Sequence, residues 1–265
     1  MSGIVCSSIG NRLGNQMSNI ACGITLAKKL GKDFAYIRKE YGSLNSASYT
    51  EYKWIVDKFN RLPLEETSSF TKIQEAHSQK FIELDDYKDC ENIVLNGIFH
   101  CDKYYDKELV LDTFGNTVDD KRRIKSKYGD LSSYVSLSVR RGDFLHCRNT
   151  FIVPSKEWYE TCYGKYFNGS DVLVTSDDLK WCRDNIDFIP SGKVHFLTNC
   201  DAVETMKIKQ CCKKHIVPPS TYSWWSAYLS GDDSFVVVPN IWYGKHSGIS
   251  NEERYPNDWI RENLV

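Results

Sequence analysis

The 265-residue chain nearly balances its charges, with 34 Lys plus Arg against 35 Asp plus Glu and a formal net charge of -1, so nothing global marks it for nucleic acid or an acidic membrane surface. Its hydrophobic fraction of 41% and charged fraction of 26% are those of a globular protein with a substantial core, built as one large domain or two smaller ones. No apolar run approaches the roughly 20 residues of a transmembrane helix, and MSGIVCSSIG has no basic stretch before an apolar core, which predicts a cytoplasmic location.

Residues 3–9, GIVCSSI, read as a strand, followed by the loop GNRLGNQ and a helix whose Met17, Ile20, Ala21, Ile24 and Ala27 recur at helical spacing, with Gly31 at its C-cap. A strand, glycine loop and helix in this order predict an α/β sheet with a ligand crevice beside the loop. Residues 33–37 read as a second strand. The segment from Tyr41 to Phe70 reads as an irregular or short-helical insertion with Trp54, Ile55, Phe59 and Leu62 on one face. A further strand is expected over 93–99, then a charged stretch over 107–129 in which VDDKRRIKSKYG forms a surface helix. A domain boundary is placed near 130, giving an N-terminal domain over 1–130 and a C-terminal domain over 131–265.

The second half opens on VSLSVRRGDF, where Val135, Leu137 and Val139 alternate with serines before Arg140, Arg141, Gly142 and Asp143. A helix over 155–166, a strand over 171–178, the helix KWCRDNI, a strand over 193–198, a helix over 201–214 and the strand SFVVVP follow. Strands alternating with helices predict a largely parallel sheet covered on both faces.

Three polar groups fall at strand ends or helix starts. Guanidinium groups at the carboxyl end of a strand, as in Arg140 and Arg141, hold a pyrophosphate by bidentate charge-assisted hydrogen bonds, and Gly142 permits a sharp turn; a solvated charged turn is the plain alternative. Asp177 or Asp178 in VTSDDLKW offers a carboxylate to the N1 and N2 donors of a guanine, and the same residues also suit a helix N-cap. Ser220, Thr221 and Ser223 in PPSTYSWWSAYL bring hydroxyls to a helix start, an anion site or simply a cap above a buried tryptophan core.

No Walker A sequence, D-x-D triplet or Gly-x-Ser-x-Gly elbow occurs, which disfavours a P-loop enzyme, a metal-bridged nucleotide sugar and a common hydrolase. The ten cysteines lack C-x-x-C pairs, and no two of the six histidines have metal-ligand spacing, so reduced thiols and no metal site are expected. Arg141-Gly142-Asp143 also spells an adhesive tripeptide, but it directly follows a buried-looking strand rather than an exposed loop.

NRLGNQMSNIACGITLAKKLG, SVRRGDF, VTSDDLKWC, HIVPPSTYSWWSAYL, VVVPNIWYG and YPNDWI together resemble, in order, the motifs of the inverting α-1,2-fucosyltransferases that use GDP-fucose, especially the compact bacterial-type enzymes. The resemblance implies a glycosyltransferase-B fold, α/β with two Rossmann-like domains facing a central cleft: a mainly acceptor-binding N-terminal domain and a C-terminal domain that binds GDP-fucose. It implies transfer of L-fucose to a sugar hydroxyl of a glycan acceptor, the 2-hydroxyl of galactose, with inversion, no metal and no cofactor beyond the donor substrate. Arg140 would hold the β-phosphate and assist departure of GDP, and Arg141 would support the site. Asn15, beside Gly14, would reach the fucose and phosphate region, Ser220 and Thr221 would bind phosphate, and Asp177 or Asp178 would read the guanine. Two positions depart from the family pattern: Ser138 stands where the family has a histidine that contacts the base, and Pro219 where it has asparagine. Asp143 is a candidate general base, with pairing to Arg141 or capping of the turn as its alternative roles. Use of another GDP-sugar or a peptide acceptor, and nucleotide binding without catalysis, are the alternative functions.

Overall fold

The structure, a computed structural model, describes residues 3–38 and 52–264; positions 41–51 of the expected insertion lie outside the described residues. Two compact units are present, one comprising Met1–Phe114 with Glu252–Pro256 and the other Gly115–Asn251 with Asn257–Val265.

In the first unit, β1 (Ile4–Ile9) leads into α1 (Leu13–Leu30), and β2 (Asp33–Arg38) returns alongside β1. Gly31 ends α1 in the left-handed region at φ 62°, its N–H turned back to the carbonyls of Ala27 and Lys28, the geometry a side chain resists. Then come α2 (Lys53–Val56), β3 (Asn60–Arg61), β4 (Thr71–Gln74), β5 (Ile93–Asn96) and α3 (Lys107–Phe114). The sheet order is β3-β2-β1-β5-β4, and every pairing is parallel. The strand expected over 93–99 stops at Asn96 because the chain turns: Phe99 has φ 51°, and the buried Glu75 carboxylate accepts the N–H groups of Ile98 at 2.6 Å and Phe99 at 3.0 Å. Arg254 is 2% exposed and donates to the His100 carbonyl at 3.1 Å, which anchors the returning segment in this unit.

The second unit begins with α4 (Val118–Tyr128), whose start is closed by a Thr117–Asp120 capping box. Sequence placed this helix ahead of a boundary near 130. Its one buried position, Ile124, packs with Leu131, Leu173, Ile208 and Cys212 of the second unit. Asp120 also pairs with Lys207 at 2.8 Å, so the chain passes between units at Phe114 and Gly115.

The remaining elements are β6 (Val135–Val139), α5 (Lys156–Cys162) with a π-helical turn over Tyr163–Phe167, β7 (Val172–Ser176), α6 (Leu179–Asn185), β8 (Val194–Phe196), α7 (Ala202–Lys209), β9 (Lys214–Ile216), α8 (Thr221–Tyr228), β10 (Phe235–Pro239) and β11 (Ile260–Glu262). They form a parallel sheet in the order β11-β10-β9-β6-β7-β8. The helix expected over 201–214 ends at Lys209, and the three residues Lys214–Ile216 become a central strand, too short to announce itself by alternation.

One sheet face carries Val135, Leu137, Val139, Val172, Val174, Ile216 and Val237 into a core with Trp158, Tyr159 and Cys162 of α5. Burying each such large apolar side chain contributes roughly 1.5–3 kcal/mol. On α8, Trp224 stacks on Tyr228 at 4.5 Å and meets Trp225 edge-on at 5.1 Å, so the tryptophans are core. All ten cysteines are free. No described helix is long and apolar enough to cross a membrane.

Candidate active site

The parallel register of β6 and β7 opposes Val139 to Ser176. That one alignment brings the turn after β6, Arg140 to Asp143, beside the turn after β7, Asp177 and Asp178. Carboxyl ends of parallel strands are where ligands of open α/β sheets bind.

Arg140 is 19% exposed and its guanidinium pairs with two carboxylates, Asp177 and Asp143. Asp177 uses its other oxygen to accept the Arg141 backbone N–H at 2.9 Å. Gly142 lies against that carboxylate: a Cβ there would meet Asp177 Oδ2, and Cγ at 3.1 Å. This is the close approach for which the glycine is needed. The Gly142–His146 segment then winds as a 3₁₀ turn, placing Phe144 so that the Arg140 guanidinium carbon lies 4.7 Å from its ring centre.

Arg141 points elsewhere. Its Nε donates to Asp178 at 3.2 Å, and its guanidinium lies 4.2 Å from the Trp181 ring centre, a cation–π contact. Asp178 is the N-cap of α6, accepting the Trp181 N–H at 3.0 Å, and its own N–H donates to Ser176 Oγ at 2.8 Å. The helix-cap role open in the sequence is therefore filled by Asp178. Asp143, 56% exposed, pairs with Arg140, and not with Arg141 as its sequence neighbourhood allowed.

Ser138 is 2% exposed, one residue inside the strand, where Thr175 Oγ1 donates to it at 3.5 Å. Ser220 caps α8, accepting the Ser223 N–H at 3.4 Å, and Thr221 is the first residue of that helix. Because β9 borders β6 on the side away from β7, α8 starts from the same edge of the sheet as the arginine turn. Beneath α8 lie two buried bases: burial pushes Lys209 down to about 7, and burial with the nearby Lys209 charge pushes His215 down to about 3.

In the other unit, Gly14 and Asn15 occupy the first turn of α1. The Asn15 N–H donates to Arg12 O at 3.1 Å, and Gly14 O accepts from Ser18 Oγ at 3.2 Å. The adjacent loop is turned by Asn11 at φ 64°. Among the described residues, no group of three or more His, Cys, Asp or Glu is arranged to hold a metal ion.

The structure thus gathers Arg140, Arg141, Asp143, Asp177 and Asp178 into one hydrogen-bonded group. It adds Phe144 and Trp181, which sequence reasoning did not single out, since their part depends on which turn faces which.

Two parallel sheets with flanking helices, one bearing an arginine turn at the end of a central strand, make two Rossmann-like units of the glycosyltransferase-B fold. Solved structures agree in fold: POFUT1 in complex with GDP superposes at TM-score 0.51, 12% identity, over 89% of this chain and 97% of its own. The Escherichia coli heptosyltransferase WaaC with ADP does so at 0.51, 10% identity, over 99% and 93%. The sequence profile of glycosyl transferase family 11 matches residues 116–263, more than half of the chain, and the chain belongs to that family. Among curated relatives, the O-antigen biosynthesis glycosyltransferase WbnK of Escherichia coli is 25% identical over 96% of this chain and 99% of its own length. An α-1,2-colitosyltransferase of Escherichia coli is 26% identical over 48% and 47%, and galactoside 2-α-L-fucosyltransferase Sec1 of Mus musculus 25% over 49% and 38%. The latter two alignments span less than half of each relative.

Proposed function

We propose that this glycosyltransferase moves L-fucose from GDP-β-L-fucose to the 2-hydroxyl of a galactose in a glycan acceptor, with inversion. The observation that carries this reading is Arg140: a half-buried guanidinium at the end of the central strand β6, held by carboxylates on its edge and an aromatic ring beside it. Such a fixed cation suits a departing diphosphate. As the acceptor oxygen bonds to the anomeric carbon, the carbon–oxygen bond to the β-phosphate breaks and its electron pair leaves with GDP. Charge accumulates on the phosphate oxygens in the transition state, and a preorganised donor there lowers the barrier more than it strengthens ground-state binding.

In this reading Arg140 takes the β-phosphate, Ser220, Thr221 and the start of α8 take further phosphate oxygens, and Arg141 holds the turn through Asp178 and Trp181. Asp177 and Asp178 already accept from arginine and backbone donors, so guanine recognition by either would replace or share one of these bonds. Asp143, the exposed partner of Arg140, or the leaving phosphate accepts the acceptor proton. The second unit is assigned the donor and the first the acceptor.

A second reading keeps the GDP and changes the deoxysugar. It is favoured by the colitosyltransferase relative. The deciding experiment incubates the protein with GDP-fucose or other GDP-sugars and a panel of β-galactosides and peptides, with products read by mass, linkage and anomeric configuration. An α-1,2-fucosyl galactoside supports the first reading, transfer only from another GDP-sugar the second, and GDP binding without any transfer defeats both.

A further inference from the structure

Carboxylates alone do not orient Arg140. Its guanidinium carbon lies 4.7 Å from the Phe144 ring centre. Phe144 stacks on Phe151 at 4.1 Å with 10° between the planes, and Phe151 meets Tyr243 at 5.9 Å. The far end of this column is built into the fold. Phe151 and Tyr243 form an antiparallel bridge, extended by the Gly244 N–H donating to the Thr150 carbonyl at 2.9 Å. Asn251 Oδ1 accepts the N–H groups of Trp242 and Tyr243, each at 2.7 Å, and its Nδ2 donates to the Tyr243 carbonyl at 3.0 Å. Tyr243 is 6% exposed, whereas Phe144 and Phe151 are half-buried.

The two kinds of contact on Arg140 behave differently when an anion arrives. Carboxylates occupy the guanidinium's N–H edges, the groups a phosphate needs, so a diphosphate competes with the exposed Asp143, while Asp177, held also by the Arg141 N–H, keeps its place. An aromatic ring contacts the cation through its π-system and accepts none of those N–H hydrogen bonds, so it can remain in place while that edge partner exchanges. Without it, an arginine released by Asp143 regains part of the rotamer freedom of a long side chain.

We propose that the Phe144–Phe151–Tyr243 column is a positioning element of Arg140, holding the guanidinium aimed while a diphosphate replaces its Asp143 partner. This rests on the assignment of Arg140 to the donor diphosphate made above. Phe144, Phe151 and Tyr243 act through Arg140 and are positioning residues.

The test uses the full chain and its Phe144→Leu, Phe151→Leu, Phe144→Tyr, Arg140→Ala and Arg140→Ala/Phe144→Leu variants, with retained amide NMR dispersion as the criterion of folding. Two readouts separate placement from consequence. The first is the Arg140 Nε–H resonance, assigned by its loss in Arg140→Ala and shifted by the Phe144 ring current. The second is the ratio of GDP to GMP affinity by calorimetry, which isolates the β-phosphate contact.

Phe144→Leu is expected to move the Nε–H resonance toward its random-coil position and to lower the ratio about tenfold, Phe151→Leu to do so several-fold. Phe144→Tyr is expected to restore both, and Phe144→Leu to add nothing in the Arg140→Ala background, since coupled residues are non-additive. An unmoved resonance with an unchanged ratio in Phe144→Leu, or an additive loss in the double variant, overturns the proposal. A wild-type protein that binds GDP no better than GMP refutes the diphosphate role of Arg140 instead, and the resonance then decides the placement by itself.

Discussion

Arg140 and Asp177 form an ion pair across the ends of two adjacent parallel strands, and the other Asp177 oxygen accepts the Arg141 backbone N–H at 2.9 Å. One carboxylate thus sets both the side chain of the first arginine and the backbone of the second. Asp177→Asn keeps an acceptor for the Arg141 N–H and removes the charge that orients Arg140. Its kcat/KM with GDP-fucose is expected to fall about tenfold. Asp177→Ala, which loses both contacts, is expected to fall further, with a modest stability loss of about 1 kcal/mol because the pair is partly exposed. Steady-state kinetics and denaturant unfolding on both variants check this, and equal kinetics for wild type and Asp177→Asn would remove the orienting role.

The larger catalytic effect is expected at Arg140 itself. Arg140→Ala is expected to reduce turnover by on the order of 10²-fold or more while the protein remains folded, the scale for loss of one preorganised donor to a developing anion. Arg140→Lys retains the charge without the planar fork and is expected to recover only a fraction of it. Single-turnover rates at saturating GDP-fucose make the measurement, and near-normal turnover in folded Arg140→Ala would end the assignment.

Gly142→Ala probes the same pair from the backbone. The new methyl meets the Asp177 carboxylate, with Cγ 3.1 Å away, so the carboxylate must move off Arg140. The expected cost is about 1–3 kcal/mol of stability together with a loss of activity like that of Asp177→Asn. Gly164→Ala, where an added Cβ meets nothing within 4 Å, is the matched control and is expected to leave both unchanged. Thermal unfolding and transfer assays on the two variants separate a local clash from a general intolerance of alanine.

Much of this arrangement is legible in the sequence. The alternation in Val135–Val139 announced β6, the run ending at Gly31 announced α1, and the hydroxyls before Trp224 announced the start of α8. Illegible were the features set by register. Nothing in RRGD or SDD states that Val139 lies opposite Ser176, and that pairing alone decides that Asp177 meets Arg140 while Asp178 caps α6. Short central strands such as Lys214–Ile216 have too few residues for a period, and the contact between Phe151 and Tyr243 joins segments far apart in the chain. Which unit α4 joins is likewise set by contacts distant in sequence, the packing of its one buried residue Ile124 and the Asp120–Lys207 pair.

The buried bases beneath α8 make stability depend on pH in two windows. Lys209 is 1% exposed, its Nζ has no hydrogen-bond partner among the described residues and lies 5.0 Å from the Tyr222 ring centre. Burial lowers it from 10.5 to about 7. Between those values the unfolded chain binds a proton that the folded chain does not, so stability falls as pH drops from about 10.5 to about 7 and the cost is complete below. Lys209→Met removes that cost and is expected to raise stability by about 1–3 kcal/mol at pH 7, with a smaller gain at pH 10. His215 is lowered from 6.5 to about 3, while its Nε2 lies 3.0 Å from both Cys212 O and Ser230 Oγ. The same sign applies at lower pH: the unfolded chain protonates first, and stability falls from about pH 6.5 toward pH 3. His215→Gln is expected to flatten that acid limb while costing some stability at neutral pH through the replaced hydrogen bonds. Thermal midpoints for the wild type and both variants at pH 4, 7 and 10 test this, and a Lys209→Met gain that grows toward pH 10 would reverse the assigned sign.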